Sequence, residues 1–133
     1  MDTNVLVRIL HQDTTAPKQC AAARRLLAET EAAGETLFVS LCALLETEWV
    51  LRSRYKVDRT SMVSAVVAML EAPGIEFENQ ATVEEALRWY QVYPSADFAD
   101  CLLVARAAHL GRARFLTFDA GAAKLPRAEF LGV

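Results

Sequence analysis

Apolar residues fall along this chain in short blocks whose spacing switches between strand-like and helical, with turn residues between them. Val5 to Leu10 is a short apolar run. Pro17 to Ala33 reads as a helix, with Pro in its first turn, Gly34 just beyond its end and an apolar face through Ala23, Leu26 and Leu27. Thr36 to Ser40 is a strand-like run that feeds a helix from Leu41 to Arg54. Asp58 then caps a helix carrying Met62, Val66, Met69 and Leu70 on one face, which Pro73-Gly74 stops. Ile75 to Glu78 can pair as a strand, Thr82 to Gln91 is helical, and Pro94-Ser95 opens a helix that ends at Gly111. Arg114 to Phe118 and Glu129 to Val133 are the last strand-like runs. Strands separated by helices imply βα units, hence an α/β domain with a mainly parallel central sheet.

Composition narrows the class. At 133 residues, 53% of them apolar, the chain has the length of one domain, 1–133, with a sizeable core. A net charge of −3 is too small for a disordered chain. The longest apolar stretch, Leu37 to Leu45, is broken by Ser40 and falls short of the roughly 20 residues a bilayer requires. Three cysteines, Cys20, Cys42 and Cys101, sit in helical segments at irregular spacing, which is no disulfide framework and implies a reducing cytoplasm. His11 and His109 are isolated, so a Cys/His zinc site is not expected. Overall acidity argues against holding nucleic acid by bulk charge, although Arg52, Arg54, Lys56 and Arg59 bracket one turn and Arg106, Arg112 and Arg114 another.

Ligands of doubly wound sheets sit beyond the carboxyl ends of the strands, and several acids occupy such places. Asp119 directly follows the Phe115 to Phe118 strand; Glu46 lies early in the helix after the Phe38 strand. Asp100 lies in the opening turns of the Pro94 helix with Asp97 three residues earlier, and Asp2 precedes Thr3-Asn4-Val5-Leu6. Each alone is explained by helix-dipole or turn chemistry. Converging, two carboxylates about 4 Å apart would repel by roughly 4 kcal/mol at an effective dielectric of 20, which a cation relieves. An oxygen-only donor set suits Mg²⁺ or Mn²⁺.

The strings Asp2-Thr3-Asn4-Val5-Leu6-Val7-Arg8, Leu45-Glu46-Thr47-Glu48-Trp49-Val50-Leu51, Asp97-Phe98-Ala99-Asp100-Cys101-Leu102-Leu103 and Leu116-Thr117-Phe118-Asp119, in this order, resemble the PIN-domain nucleases. Among these the chain looks most like the VapC toxins of bacterial toxin–antitoxin pairs. The resemblance implies a PIN-like three-layer fold, a mainly parallel central sheet flanked by helices. It implies a metal pocket of Asp2, Glu46, Asp100 and Asp119, with Asp97 as a candidate fifth member. It further implies Mg²⁺- or Mn²⁺-assisted hydrolysis of RNA phosphodiesters to 5′-phosphate and 3′-hydroxyl ends, a homodimer and a cognate antitoxin. Thr3, Asn4 and Thr117 fall in the matching motifs and are expected to hold the carboxylates or ligand water. Arg52 and Arg54 become candidates for tracking the RNA backbone, and the Arg59 to Leu70 helix a guess for an apolar groove. Glu48, about 200° around the helix from Glu46, is expected at the surface, and Trp49 is expected to pack in the core rather than stack a base.

Family members usually carry an apolar strand before the first acid, and here only Met1 stands there. The first strand therefore reads as truncated, which would leave neighbouring backbone groups unpaired and Asp2 beside a charged amine. The expectation is a native start upstream of Met1; the alternative is a chain compromised in stability and metal binding. The competing functional readings are a catalytically impaired PIN-like module that binds RNA or protein, and a metal-dependent phosphatase. The phosphatase reading lacks paired aspartates two residues apart and a downstream lysine.

Overall fold

A computed structural model describes residues 1–132, so Val133, the end of the Glu129 run, lies outside the described residues. The chain divides into two compact units, Met1–Asn79 and the residues from Gln80 onward. The described residues form six α-helices and four short strands in parallel pairs, a mixed α/β fold of PIN-like type.

In the first unit the Val5 to Leu10 run is helical: α1 spans Thr3–Leu10 and buries Thr3, Leu6 and Val7 on one face. That face packs on α2, Pro17–Ala32, and on α3, Leu41–Ser53. Pro17 stands at the start of α2, where a missing N–H costs nothing, and Gly34 just past its end has φ +71°, a conformation that favours glycine. Strand β1 is Leu37–Val39. Ser40 caps α3 by accepting a 3.0 Å hydrogen bond from the Ala43 N–H, and Asp58 caps α4, Arg59–Glu71, by accepting from the Ser61 N–H at 2.8 Å. On α4, Met62, Val66 and Met69 are buried as the spacing predicts, whereas Leu70 is half-buried. Strand β2, Ile75–Phe77, then pairs parallel with β1 in the register Leu37↔Ile75 and Val39↔Phe77. Helices α3 and α4 supply the long connection that parallel strands need.

In the second unit α5, Gln80–Val92, packs against α6, Phe98–His109. Buried Val83, Ala86 and Tyr90 face this core along with Phe98, Cys101, Leu102 and Ala105. Tyr90 and Phe98 meet edge-on, ring centroids 5.6 Å apart. Strand β3, Phe115–Thr117, pairs parallel with β4, Ala128–Phe130, across a 3₁₀ turn at Ala122–Lys124.

The start of α6 differs from the sequence expectation. Pro94-Ser95 does not open the helix; Ala96 N–H closes a turn on the Tyr93 carbonyl, and the helix begins at Phe98 behind Asp97. The Asp97 carboxylate accepts from the Asp100 N–H at 2.8 Å while Asp100 reaches back to the Asp97 N–H at 3.3 Å. This reciprocal cap satisfies two helix-end donors, which a proline at position 94 cannot do.

Candidate functional site

Of the proposed site acids, Asp2 and Glu46 belong to the first unit and are exposed at its surface. Asp2 stands at the N-terminus of α1, where its carbonyl accepts from the Val5 and Leu6 N–H groups at 3.1 and 3.2 Å. Its side chain makes no capping bond and is exposed. The Met1 ammonium, adjacent in sequence, donates to the Phe38 carbonyl of β1 at 2.8 Å. Glu46 projects from the second turn of α3 into solvent. Asp2 and Glu46 line one cavity of about 200 Å³, together with Thr3, Asn4, Arg8, Arg54 and Tyr55. Of the supporting residues expected here, Thr3 is buried and Asn4 exposed.

In the second unit Asp119 emerges from β3 into a tight turn. Its Oδ1 accepts from the Gly121 N–H at 2.7 Å and the Ala122 N–H at 3.2 Å. Thr117 does not hold the carboxylate: its Oγ1 accepts from the Asp119 N–H at 2.9 Å and so fixes the turn itself. Ser95 Oγ donates to the Gly121 carbonyl at 2.9 Å, joining this turn to the segment before α6. A Cβ on Gly121 would lie 2.3 Å from the Ser95 carbonyl oxygen, so only glycine permits that approach.

The consequence is electrostatic. Burial, then the neighbouring Asp97 and Asp119 carboxylates, push the Asp100 carboxyl up to about 6 from an ordinary 3.8. An acid raised on folding adds stability that is present below its unfolded value and lost as pH rises through the folded one. In buffer without divalent ions, Asp100→Asn should therefore be more stable than the wild type above pH 6, and the difference should vanish towards pH 4. Urea denaturation of both proteins across this range measures it, and a pH-independent difference contradicts it.

Asp97, Asp100 and Asp119 are neighbouring carboxylates with no thiolate or imidazole among them, the donor type that a hard divalent cation prefers. Among the described residues, no three His, Cys, Asp or Glu side chains are gathered as a ready metal cage. A family model, PIN domain, matches residues 1–128. The chain belongs to the PIN domain family. No curated protein and no solved structure matches it. PIN domains are generally nucleases, and PIN nucleases bind RNA and usually use divalent metal ions. Among the described residues no helix of this PIN domain is long and apolar enough to cross a membrane.

Two expectations for α3 are reversed in the PIN domain, for one reason. At about 100° per residue, Glu48 does point away from Glu46, but the side opposite Glu46 faces the core. Glu48 is 2% exposed, with Oε1 accepting from Arg52 Nε at 2.8 Å, and is no surface acid. Trp49 lies only about 60° from Glu46 and shares its solvent side, so it is 59% exposed instead of packed in the core. Arg52 is thereby engaged with a buried carboxylate, whereas Arg54 lines the Asp2–Glu46 cavity.

Sequence reasoning missed Arg8, Asp13 and Tyr55. Tyr55 Oη donates to Asp13 Oδ2 at 2.7 Å and accepts from Arg8 Nη1 at 2.9 Å; Thr15 donates to Asp13 from both its N–H and its hydroxyl. The Thr15 and Tyr55 hydrogen bonds hold the Asp13 carboxyl well below the usual carboxylate range. The available signal was Arg8 itself, a cation inside the apolar run Val5 to Leu10.

Proposed function

We propose that this PIN domain is a Mg²⁺- or Mn²⁺-dependent endoribonuclease acting as the toxin of a type II toxin–antitoxin module, with Asp2, Glu46, Asp100 and Asp119 as its metal-holding acids. Asp97 is a candidate fifth. The observation that carries this reading is the carboxylate crowding at Asp100, inside a family of generally metal-using nucleases. When bound, the cation would supply positive charge against the phosphate and make water a better nucleophile at neutral pH.

The chain's own residues supply position. Asp119 is fixed by the Thr117, Gly121 and Ala122 contacts, Asp100 by its reciprocal cap with Asp97, and Asp2 by the backbone of α1. Hydrogen bonds fix the Asp100 and Asp119 carboxylates, which lowers the reorganisation each would need to take a cation. Cytoplasmic location, a homodimer and a cognate antitoxin complete the proposal.

The ends of the products test the chemistry. Digestion of single-stranded RNA is expected to leave 5′-phosphate and 3′-hydroxyl termini, detected by ligation to an adaptor without prior phosphorylation. Cyclic 2′,3′-phosphate ends would overturn it, because attack by the ribose hydroxyl needs no metal-held water. Induced expression in a bacterium should arrest growth, and Glu46→Gln should relieve the arrest; no arrest by the wild type would remove the toxin reading, and equal arrest by both would remove the role of Glu46.

A further inference from the structure

The cavity shared by Asp2 and Glu46 also holds two guanidinium groups brought from different elements. Arg8 comes from the last turn of α1, and Arg54 caps the C-terminus of α3. Among the described residues neither is ion-paired with Asp2 or Glu46. Arg8 is paired with Asp13 through Nη1 and keeps Nη2 for a second anion, while among the described residues Arg54 forms no ion pair.

Arg8 is prepared for that role. Its Nε donates to Gln19 Oε1 at 2.9 Å, and Nη1 donates to Tyr55 Oη and to Asp13 Oδ2 at 2.9 and 3.3 Å. Those bonds fix the plane of the fork, and among the described residues Nη2 makes no hydrogen bond. The Tyr55 ring is engaged by the Arg54 guanidinium at 5.4 Å and by the His11 ring, centroids 4.3 Å apart. With the Arg54 guanidinium and the His11 ring against it, Tyr55 is a poor platform for stacking a base. The Nη2 group, held in place by the bonds at Nε and Nη1, is left to donate to a phosphate oxygen.

We propose that Arg8 and Arg54 form a phosphate clamp in this cavity, gripping a backbone phosphate of RNA next to Asp2 and Glu46, with Asp13 and Tyr55 as residues that position Arg8. The clamp rests on the ribonuclease reading, and it separates Arg54 from Arg52, which is engaged with Glu48. A single-stranded phosphate contact carries a salt slope of about 0.7, and its loss is expected to weaken binding about 3- to 10-fold at moderate salt.

The test is binding of a short fluorescein-labelled single-stranded RNA in EDTA, as a function of salt, alongside cleavage in Mg²⁺. Arg54→Met is exposed and should fold normally. Arg8→Met is combined with Asp13→Asn so that no buried carboxylate is stranded. Each should weaken binding by that factor, lower the salt slope by about 0.7, and raise KM with kcat nearly unchanged. Arg24→Met, an exposed cation on α2 away from the cavity, should do neither. Wild-type affinity and slope in the Arg54 and Arg8/Asp13 variants, or a wild type that binds no RNA, would overturn the clamp. RNA bound through these residues but left uncut in Mg²⁺ would overturn the ribonuclease reading and leave the clamp standing.

Discussion

Asp100→Asn is expected to cut RNA cleavage by about 100- to 1,000-fold while leaving the protein folded. The size follows from the several kcal/mol that a cation contributes to a phosphoryl transition state, at about 1.4 kcal/mol per tenfold in rate. Folding should survive because the asparagine side chain keeps an oxygen for the Asp97 N–H, which now lies 3.3 Å away. It should even gain stability above pH 6, since the substitution removes a carboxylate that burial and its neighbours disfavour. Glu46→Gln should lose activity on the same scale with no change in stability, its side chain being exposed. Gel-based cleavage rates and urea midpoints, measured on the same preparations, separate the two effects. Loss of activity only in step with loss of fold would assign these acids a structural role.

Phe98→Ala is expected to cost about 3–5 kcal/mol, a large share of the 5–15 kcal/mol that holds a domain of this kind. Phe98 is fully buried, packs edge-on against Tyr90, and is the first residue of α6, so the void would open beneath the Asp97–Asp100 cap. Trp49→Ala, although it removes a larger side chain, should stay within about 0.5 kcal/mol because that residue is 59% exposed. Equilibrium urea unfolding of the two variants checks the contrast. Similar costs for both would mean that Trp49 is covered in solution.

The same pair of residues shows how far the sequence could be read. Helices α2, α3 and α4 were legible because each carries local punctuation: Pro17 and Gly34, Ser40, Asp58. Within α3, however, apolar residues occur all round, at Leu41, Leu44, Leu45, Trp49, Val50 and Leu51, so no stripe marks the inner face. The angle between Glu46 and Glu48 was correct while its sign was not. At α6 the sequence places the start at Pro94-Ser95, and the proline conceals the cap at Asp97, three residues further on. Strands of three residues are too short to display alternation, which is why their edges were drawn wide.

Among the acids, position made Asp2, Glu46, Asp100 and Asp119 candidates, and their assignment to one metal pocket came from the resemblance to PIN nucleases. Their environments were not readable. The raised carboxyl of Asp100 comes first from burial and then from Asp97, with a smaller push from Asp119, whose turn requires Gly121 against the Ser95 carbonyl. The Arg8–Tyr55 contact spans 47 positions and leaves no periodic trace in either segment.

The most direct test of the metal-dependent ribonuclease is cleavage of single-stranded RNA by the wild-type protein in Mg²⁺, after EDTA, and after Mg²⁺ or Mn²⁺ is restored. Cutting that stops with EDTA and returns with either ion is expected. Cutting that continues unchanged in EDTA would contradict the assignment of Asp2, Glu46, Asp100 and Asp119 as metal-holding acids.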